Sequence, residues 1–127
     1  DKTRGTISKW VEELSISIPA VDSPVQTLSG GNQQRVVLAK WMATQPRILI
    51  LDGPTIGIDV AAKSAIHEII RDLAKQGIGI MVISDEVSEV LHNCNPIMVM
   101  HKGRFVAEFE TAQTTEEKIQ NCIDMAS

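Results

Sequence analysis

No apolar run in this chain reaches the about 20 residues that a helix needs to cross a bilayer. The longest candidate, Ile78 to Ile83, has the length of a strand. The opening residues, Asp1 to Lys9, are polar and no apolar segment follows them, so the pattern of a secretory signal is missing. Cysteine is scarce. Cys94 and Cys122 lie far apart and form no Cys-x-x-Cys pair, which favours free thiols of a reducing compartment over a disulfide framework. His92 stands two residues before Cys94, but a structural zinc site needs four ligands, and His67 and His101 join no ligand pattern. The net charge of -4 lacks the electrostatic footprint of a nucleic-acid surface. There is no internal repeat and no low-complexity stretch.

What is present suits one soluble domain with one core: 127 residues, 43% hydrophobic and 22% charged. Ile7, Trp10, Val11 and Leu14 recur with helical spacing. A loop with Pro19 and Pro24 follows, to Thr27. Leu28-Ser29-Gly30-Gly31 opens a second helix, expected to run to about Gln45 and to stop at Pro46. Arg47 to Asp52 reads as a buried strand with a carboxylate at its C-terminal end. Asp59 is an N-cap for a helix over residues 60–76, whose apolar face is Ala62, Ile66, Ile69, Ile70, Leu73 and Ala74.

Ile78 to Ser84 reads as a second fully apolar strand. A short helix around Val87, Val90 and Leu91 follows, then a strand from Ile97 to Met100. Lys102-Gly103 turns into a strand over residues 104–110, and Thr114 with Glu117 forms a capping box for a last helix. This order predicts an α/β fold with a mostly parallel sheet flanked by helices.

The chemistry concentrates in Leu28-Ser29-Gly30-Gly31-Asn32-Gln33-Gln34-Arg35. Two glycines at a helix start let the backbone approach a ligand. The first turn offers unpaired N–H groups and the positive end of the helix dipole, which favours an anion. Ser29 adds a hydroxyl, although the plain alternative is a Ser N-cap on a glycine-rich turn.

Leu28 to Arg35 resembles the signature motif of the ATP-binding-cassette (ABC) ATPases. Ile48 to Asp52 resembles their Walker B strand, and Pro54 to Asp59 their D-loop. Asn32 in place of the commoner Gln, with Gly57-Ile58-Asp59-Val60 and Ala62-Lys63, is similar to the second ATPase domain of monosaccharide importers of the ribose, galactose and xylose type. The likeness runs from about Gly5 to Phe109. It implies a partial P-loop NTPase fold: residues 1–27 would end a helical subdomain, residues 28–110 carry signature, Walker B, D-loop and switch region, and residues 111–127 form a C-terminal helix.

It also implies roles. Ser29, Gly30, Gly31 and Gln33 would form the nucleotide-binding signature, touching the γ-phosphate of an ATP held by the opposite domain of a head-to-tail dimer. Asp52 would hold Mg²⁺ through water. Asp59 would reach across the dimer, or serve as a plain helix cap, or both. ATP and Mg²⁺ belong to the complete domain. The implied partners are a second ABC ATPase domain and membrane permease subunits, at the cytoplasmic face of the membrane, with no nucleic acid.

Three departures accompany the likeness. No phosphate loop Gly-x-x-x-x-Gly-Lys-Ser/Thr occurs, so the chain is expected to begin after it and to hold no ATP by itself. Gly53 stands where the family has a Glu that orients the attacking water. Asp85 stands at the switch position usually held by His, and a carboxylate there would repel a γ-phosphate. No catalytic residue is then intact. A Glu at 53 is expected to fold without cost unless Gly53 has a positive φ.

In the family, the phosphate-loop strand lies between the strands at residues 78–84 and 97–100. Those strands are expected to offer free edges to another copy, or to close onto each other. Two functions fit: the ATPase subunit of a sugar importer, or a non-enzymatic module that offers its signature face to an intact partner. ABC-type DNA-repair ATPases fit poorly, since residues 1–27 show no heptads.

Overall fold

A computed structural model describes residues 2–20 and 22–126. The expected domain limits Asp1 and Ser127, and Val21 of the proline-bearing loop, lie outside the described residues. The chain forms α1 (Lys2–Glu13), α2 (Gly30–Met42), β1 (Ile48–Asp52), α3 (Val60–Lys75), β2 (Gly79–Ile83), α4 (Val87–Asn93), β3 (Ile97–His101), β4 (Arg104–Phe109) and α5 (Glu116–Ala126), with single 3-10 turns at Val25–Thr27 and Thr111–Gln113. The order of elements is the one the sequence implies. α2 stops at Met42, earlier than expected. Gln45, with φ of 52°, has left the helix before Pro46, whose ring disfavours helical backbone in the residue ahead of it.

Two compact units divide at Met81 and Val82, within β2. In the first, β1 and β2 pair as a small parallel sheet. α3 buries Ile66, His67, Ile70 and Leu73, and α2 buries Gly31, Leu38 and Met42. Leu14 and Ile16 are also buried. His67 therefore belongs to the covered face of α3 where Ala74, expected there, is exposed. β1 alternates: Leu49 and Leu51 are buried, while Ile48 is 72% and Ile50 62% exposed. Next to them, Val37 and Trp41 of α2 line an open groove of about 570 Å³ together with Ile48 and Ile50. The reading of β1 as buried on both faces is thus corrected, because one face has no covering layer. β2, read as a fully apolar strand, buries no residue: Met81 and Ile83 are nearly half exposed.

The second unit is a hairpin backed by helices. β3 and β4 are antiparallel, from Ile97 opposite Phe109 to His101 opposite Arg104, with a register shift at Val99/Met100. Lys102 and Gly103 turn the chain with φ of 46° and 76°. Ile97, Val99 and Ile119 of α5 form the core, with Val87, Val90, Leu91, Ala107, Phe109 and Cys122 packed on it. Phe105, two residues before the inward-packed Ala107, is 60% exposed, since the register shift lies between the two. The cap of α5 is also displaced by one residue. Thr115 Oγ1 accepts from Lys118 N at 3.3 Å, while Thr114 Oγ1 is buried without a hydrogen-bond partner. β2 pairs with β1 and β3 with β4, in separate two-stranded sheets, so the pairing of β2 with β3 that the sequence allowed is not formed.

Candidate functional site

The expected nucleotide-facing residues gather where α2 and α3 begin. Ser29 leaves extended backbone (φ -60°, ψ 155°) and caps α2. Its Oγ accepts from Asn32 N at 3.4 Å and from Asn32 Nδ2 at 3.1 Å. Ser29 and Gly30 are exposed, and the first N–H groups of a helix have no intrahelical acceptor, so this turn presents donors to solvent.

Close approach to the next helix explains the glycines. A Cβ on Gly31 would stand 2.7 Å from Ala62 Cβ in α3, and one on Gly30 would stand 3.2 Å from Ile58 Cγ2. The signature turn therefore lies against the loop and first turn of α3. Asp59 caps that helix, its Oδ1 accepting from Ala62 N at 2.9 Å, and is itself exposed. The plain capping role of Asp59 is present; nothing in it prevents a second contact outward.

Gln33 is turned the other way. Its Nε2 donates to Leu28 O at 2.8 Å, so one of the two amide N–H groups holds the loop ahead of the helix. Two residues of α2 grip the segment after α1: Asn32 Oδ1 accepts from Ser17 N at 3.0 Å, and the Arg35 guanidinium donates to Ser15 O. Asn32 stands out in the sequence only as a variant of the motif; its partner is 15 residues away, beyond any local pattern.

Asp52 ends β1 and is exposed. Beyond it, Ile56 N donates to Gly53 O at 3.2 Å, closing a turn whose buried Pro54 and Thr55 anchor it. Gly53 has φ of 58°, a left-handed conformation that a side chain resists. A Cβ there would overlap Ile56 Cδ1 and come to 3.0 Å from its Cγ1. The exception stated for a positive φ therefore applies, and a Glu at 53 is not free of cost.

Asp85 lies in the second unit, exposed. Beside it in sequence, Ser84 Oγ donates to the buried carboxylate of Glu89 and accepts from Glu86 N at 3.1 Å. Burial, and then the nearby Glu89 charge, push the Cys94 thiol above its ordinary pKa. Glu89 was not legible as a buried group, because a single carboxylate in a short helix carries no mark of its burial.

The fit to ATP and Mg²⁺ is partial. Asp52 offers one exposed carboxylate, whose oxygens suit a hard cation. Among the described residues no group of three or more His, Cys, Asp or Glu is placed to hold a metal. The first turn of α2 offers N–H donors of the kind that favour an anion, but the sequence contains no glycine-rich loop with a Lys to cradle a nucleotide. No helix among the described residues is long and apolar enough to cross a membrane.

The family model described as ABC transporter matches residues 2–56. The xylose import ATP-binding protein XylG of Geobacillus kaustophilus is 49% identical over 111 residues, 87% of this chain and 22% of that protein. The ribose import ATP-binding protein RbsA of Rhodococcus jostii is 46% identical over 118 residues, 93% of this chain and 24% of that one. The chain thus spans about a quarter of the length of these curated relatives. Among solved structures, cbiO1 of Clostridium perfringens, part of the ABC transporter complex cbiONQ, superposes with a TM-score of 0.77 at 27% identity, covering 97% of this chain and 48% of that one. A nucleotide-free ATP-binding cassette from an ABC transporter gives a TM-score of 0.82 at 24% identity, over 98% and 47%. Motif order, matched sequence and fold agree: the chain belongs to the ABC transporter ATP-binding family.

Proposed function

We propose that this chain supplies the signature side of a composite ATP site in a sugar-import ABC ATPase, coupling nucleotide binding to carbohydrate uptake. The observation that supports this is the Ser-capped first turn of α2 set against the start of α3, with Ser29 and Gly30 exposed and the first helical N–H groups lacking intrahelical acceptors. Relatives named as ribose and xylose import ATP-binding proteins support the substrate class.

ATP and Mg²⁺ supply the transferable phosphoryl group and its charge neutralisation. This chain's signature residues would donate hydrogen bonds to a γ-phosphate held on a second ABC ATPase domain, with Asp59 aiding the contact, while Asp52 would hold Mg²⁺ through water beside the nucleotide of its own complete domain. Gly53 gives nothing with which to orient water at the composite site that contains Asp52, so that site, and not the one the signature turn completes, would lack its water-orienting carboxylate. The assembly would dock on permease subunits at the cytoplasmic face of the membrane. A non-enzymatic reading, in which the chain only offers its signature to an intact ATPase, rests on the same turn; an in-frame phosphate loop upstream in the gene would decide against it.

The test is nucleotide-dependent association. The chain and a sugar-importer ATPase domain with its own phosphate loop should co-sediment in Mg-ATP and not without nucleotide. Ser29→Arg should abolish the effect by filling the phosphate's place. Equal association with Ser29→Arg would refute the proposal.

A further inference from the structure

A hydroxyl has two acceptor lone pairs and one proton. At Ser29 two donors of a single residue, the backbone N–H and the Nδ2 of Asn32, occupy the acceptor side. The side-chain amide of Asn32 is not free to exchange its ends. Its other atom receives the Ser17 N–H at 3.0 Å, and only the carbonyl oxygen can accept there, so the nitrogen must face Ser29. The Ser17 segment is held in turn by Arg35, which grips Ser15 O from the next turn of the same helix.

This differs from the usual capping box, in which the side chain at the third helical position reaches back to the N-cap backbone N–H. Here it reaches the cap's hydroxyl oxygen. With its lone pairs engaged, Ser29 keeps one hydrogen-bonding capacity, its proton, on an exposed side chain.

We infer that Asn32 is a positioning residue that makes the Ser29 hydroxyl an obligate donor toward a phosphate oxygen. The inference rests on the reading that this turn faces a phosphate. It adds that the signature serine depends on a brace running from Ser17 through Asn32, and that Asn32 acts through Ser29 rather than on the ligand.

The test titrates inorganic phosphate, against a chloride control of equal ionic strength, into the full 127-residue chain. The Gly30 and Gly31 amides are followed by NMR. Ser29→Ala should weaken binding by about tenfold, the worth of a hydrogen bond to a charged group. Asn32→Ala should weaken it by a comparable factor, and the double variant should bind no more weakly than Ser29→Ala. Asn32→Gln, which keeps both amide groups, should retain affinity. Asn32→Asp should weaken binding more with Ser29 present than in Ser29→Ala, because the carboxylate takes the serine proton while its charge acts in both. Hydrogen exchange at the Ser17 amide should quicken in Asn32→Ala and not in Ser29→Ala, which reports the brace separately from the ligand.

If Ser29→Ala weakens binding and the near-isosteric Asn32→Asp and Asn32→Ala do not, the inference is wrong and the phosphate-facing reading stands. If the two alanine effects multiply in the double variant, Asn32 acts independently of Ser29 and the inference also falls. If phosphate moves neither glycine amide, or Ser29→Ala changes nothing, the reading itself fails and takes the inference with it.

Discussion

Gly53→Ala isolates what the turn at the end of β1 demands. The left-handed φ of 58° costs a residue with a Cβ about 1–2 kcal/mol. Losing glycine's freedom in the unfolded chain returns about 0.4–1 kcal/mol. The backbone terms alone therefore leave a loss of somewhat under or about 1 kcal/mol. The new Cβ also overlaps the end of Ile56. Because Ile56 is 80% exposed, it can swing aside, at about 0.5–1.5 kcal/mol if it leaves a preferred rotamer. The sum is about 1–2 kcal/mol. With a urea slope of about 2 kcal/mol per molar, the midpoint should fall by about 0.5–1 M. Gly57→Ala is the comparator: its φ is 74°, but nothing lies within 4 Å of its added Cβ, so it bears the backbone cost alone. In an Ile56→Ala background, the cost of Gly53→Ala should drop to that of Gly57→Ala. A Gly53→Ala midpoint at or above the parent's would refute the strain, and an unchanged cost in Ile56→Ala would refute the steric share. Gly53→Glu carries the same burden, so a carboxylate installed there arrives on a weakened turn.

Gly31→Ala should destabilise the chain by about 1–3 kcal/mol, because the added methyl meets Ala62 Cβ at 2.7 Å between two helix starts that cannot give way as a long side chain can; Ala62→Gly should recover much of that loss in urea denaturation. The chain alone should show no ATPase activity and bind Mg-ATP weakly, and a low-micromolar dissociation constant by isothermal titration would refute this. Light scattering in dilute buffer should show dimers or larger species, since Ile48, Ile50, Trp41, Met100 and Phe105 are each half or more exposed; a sharp monomer peak with cooperative melting would count against it.

The motifs were legible because residue type and spacing carry their chemistry directly: Ser29-Gly30-Gly31 opens α2, Asp52 ends β1 and Asp59 caps α3, as their positions imply. The element order followed from the apolar periods in the same way. Burial did not. An all-apolar strand such as residues 79–83 states what it is able to bury, whereas β2 lacks a covering layer and buries nothing. Local pattern also failed to separate Thr114 from Thr115, since both precede the same acidic first turn and only the geometry shows which hydroxyl meets a helix N–H. The positive φ of Gly53 leaves no mark beyond the glycine itself.

The most consequential gap lies at the signature. The motif places a hydroxyl at Ser29 but does not say whether that hydroxyl gives or receives a hydrogen bond. That depends on which way the Asn32 amide is turned, and the amide is turned by Ser17 N–H, 15 residues earlier in the chain. The segment after α1 carries no phosphate-binding motif, yet through this contact it sets the polarity of the serine. A substitution that shifts residues 15–17 should therefore weaken phosphate binding at Gly30 and Gly31 while leaving every signature residue in place.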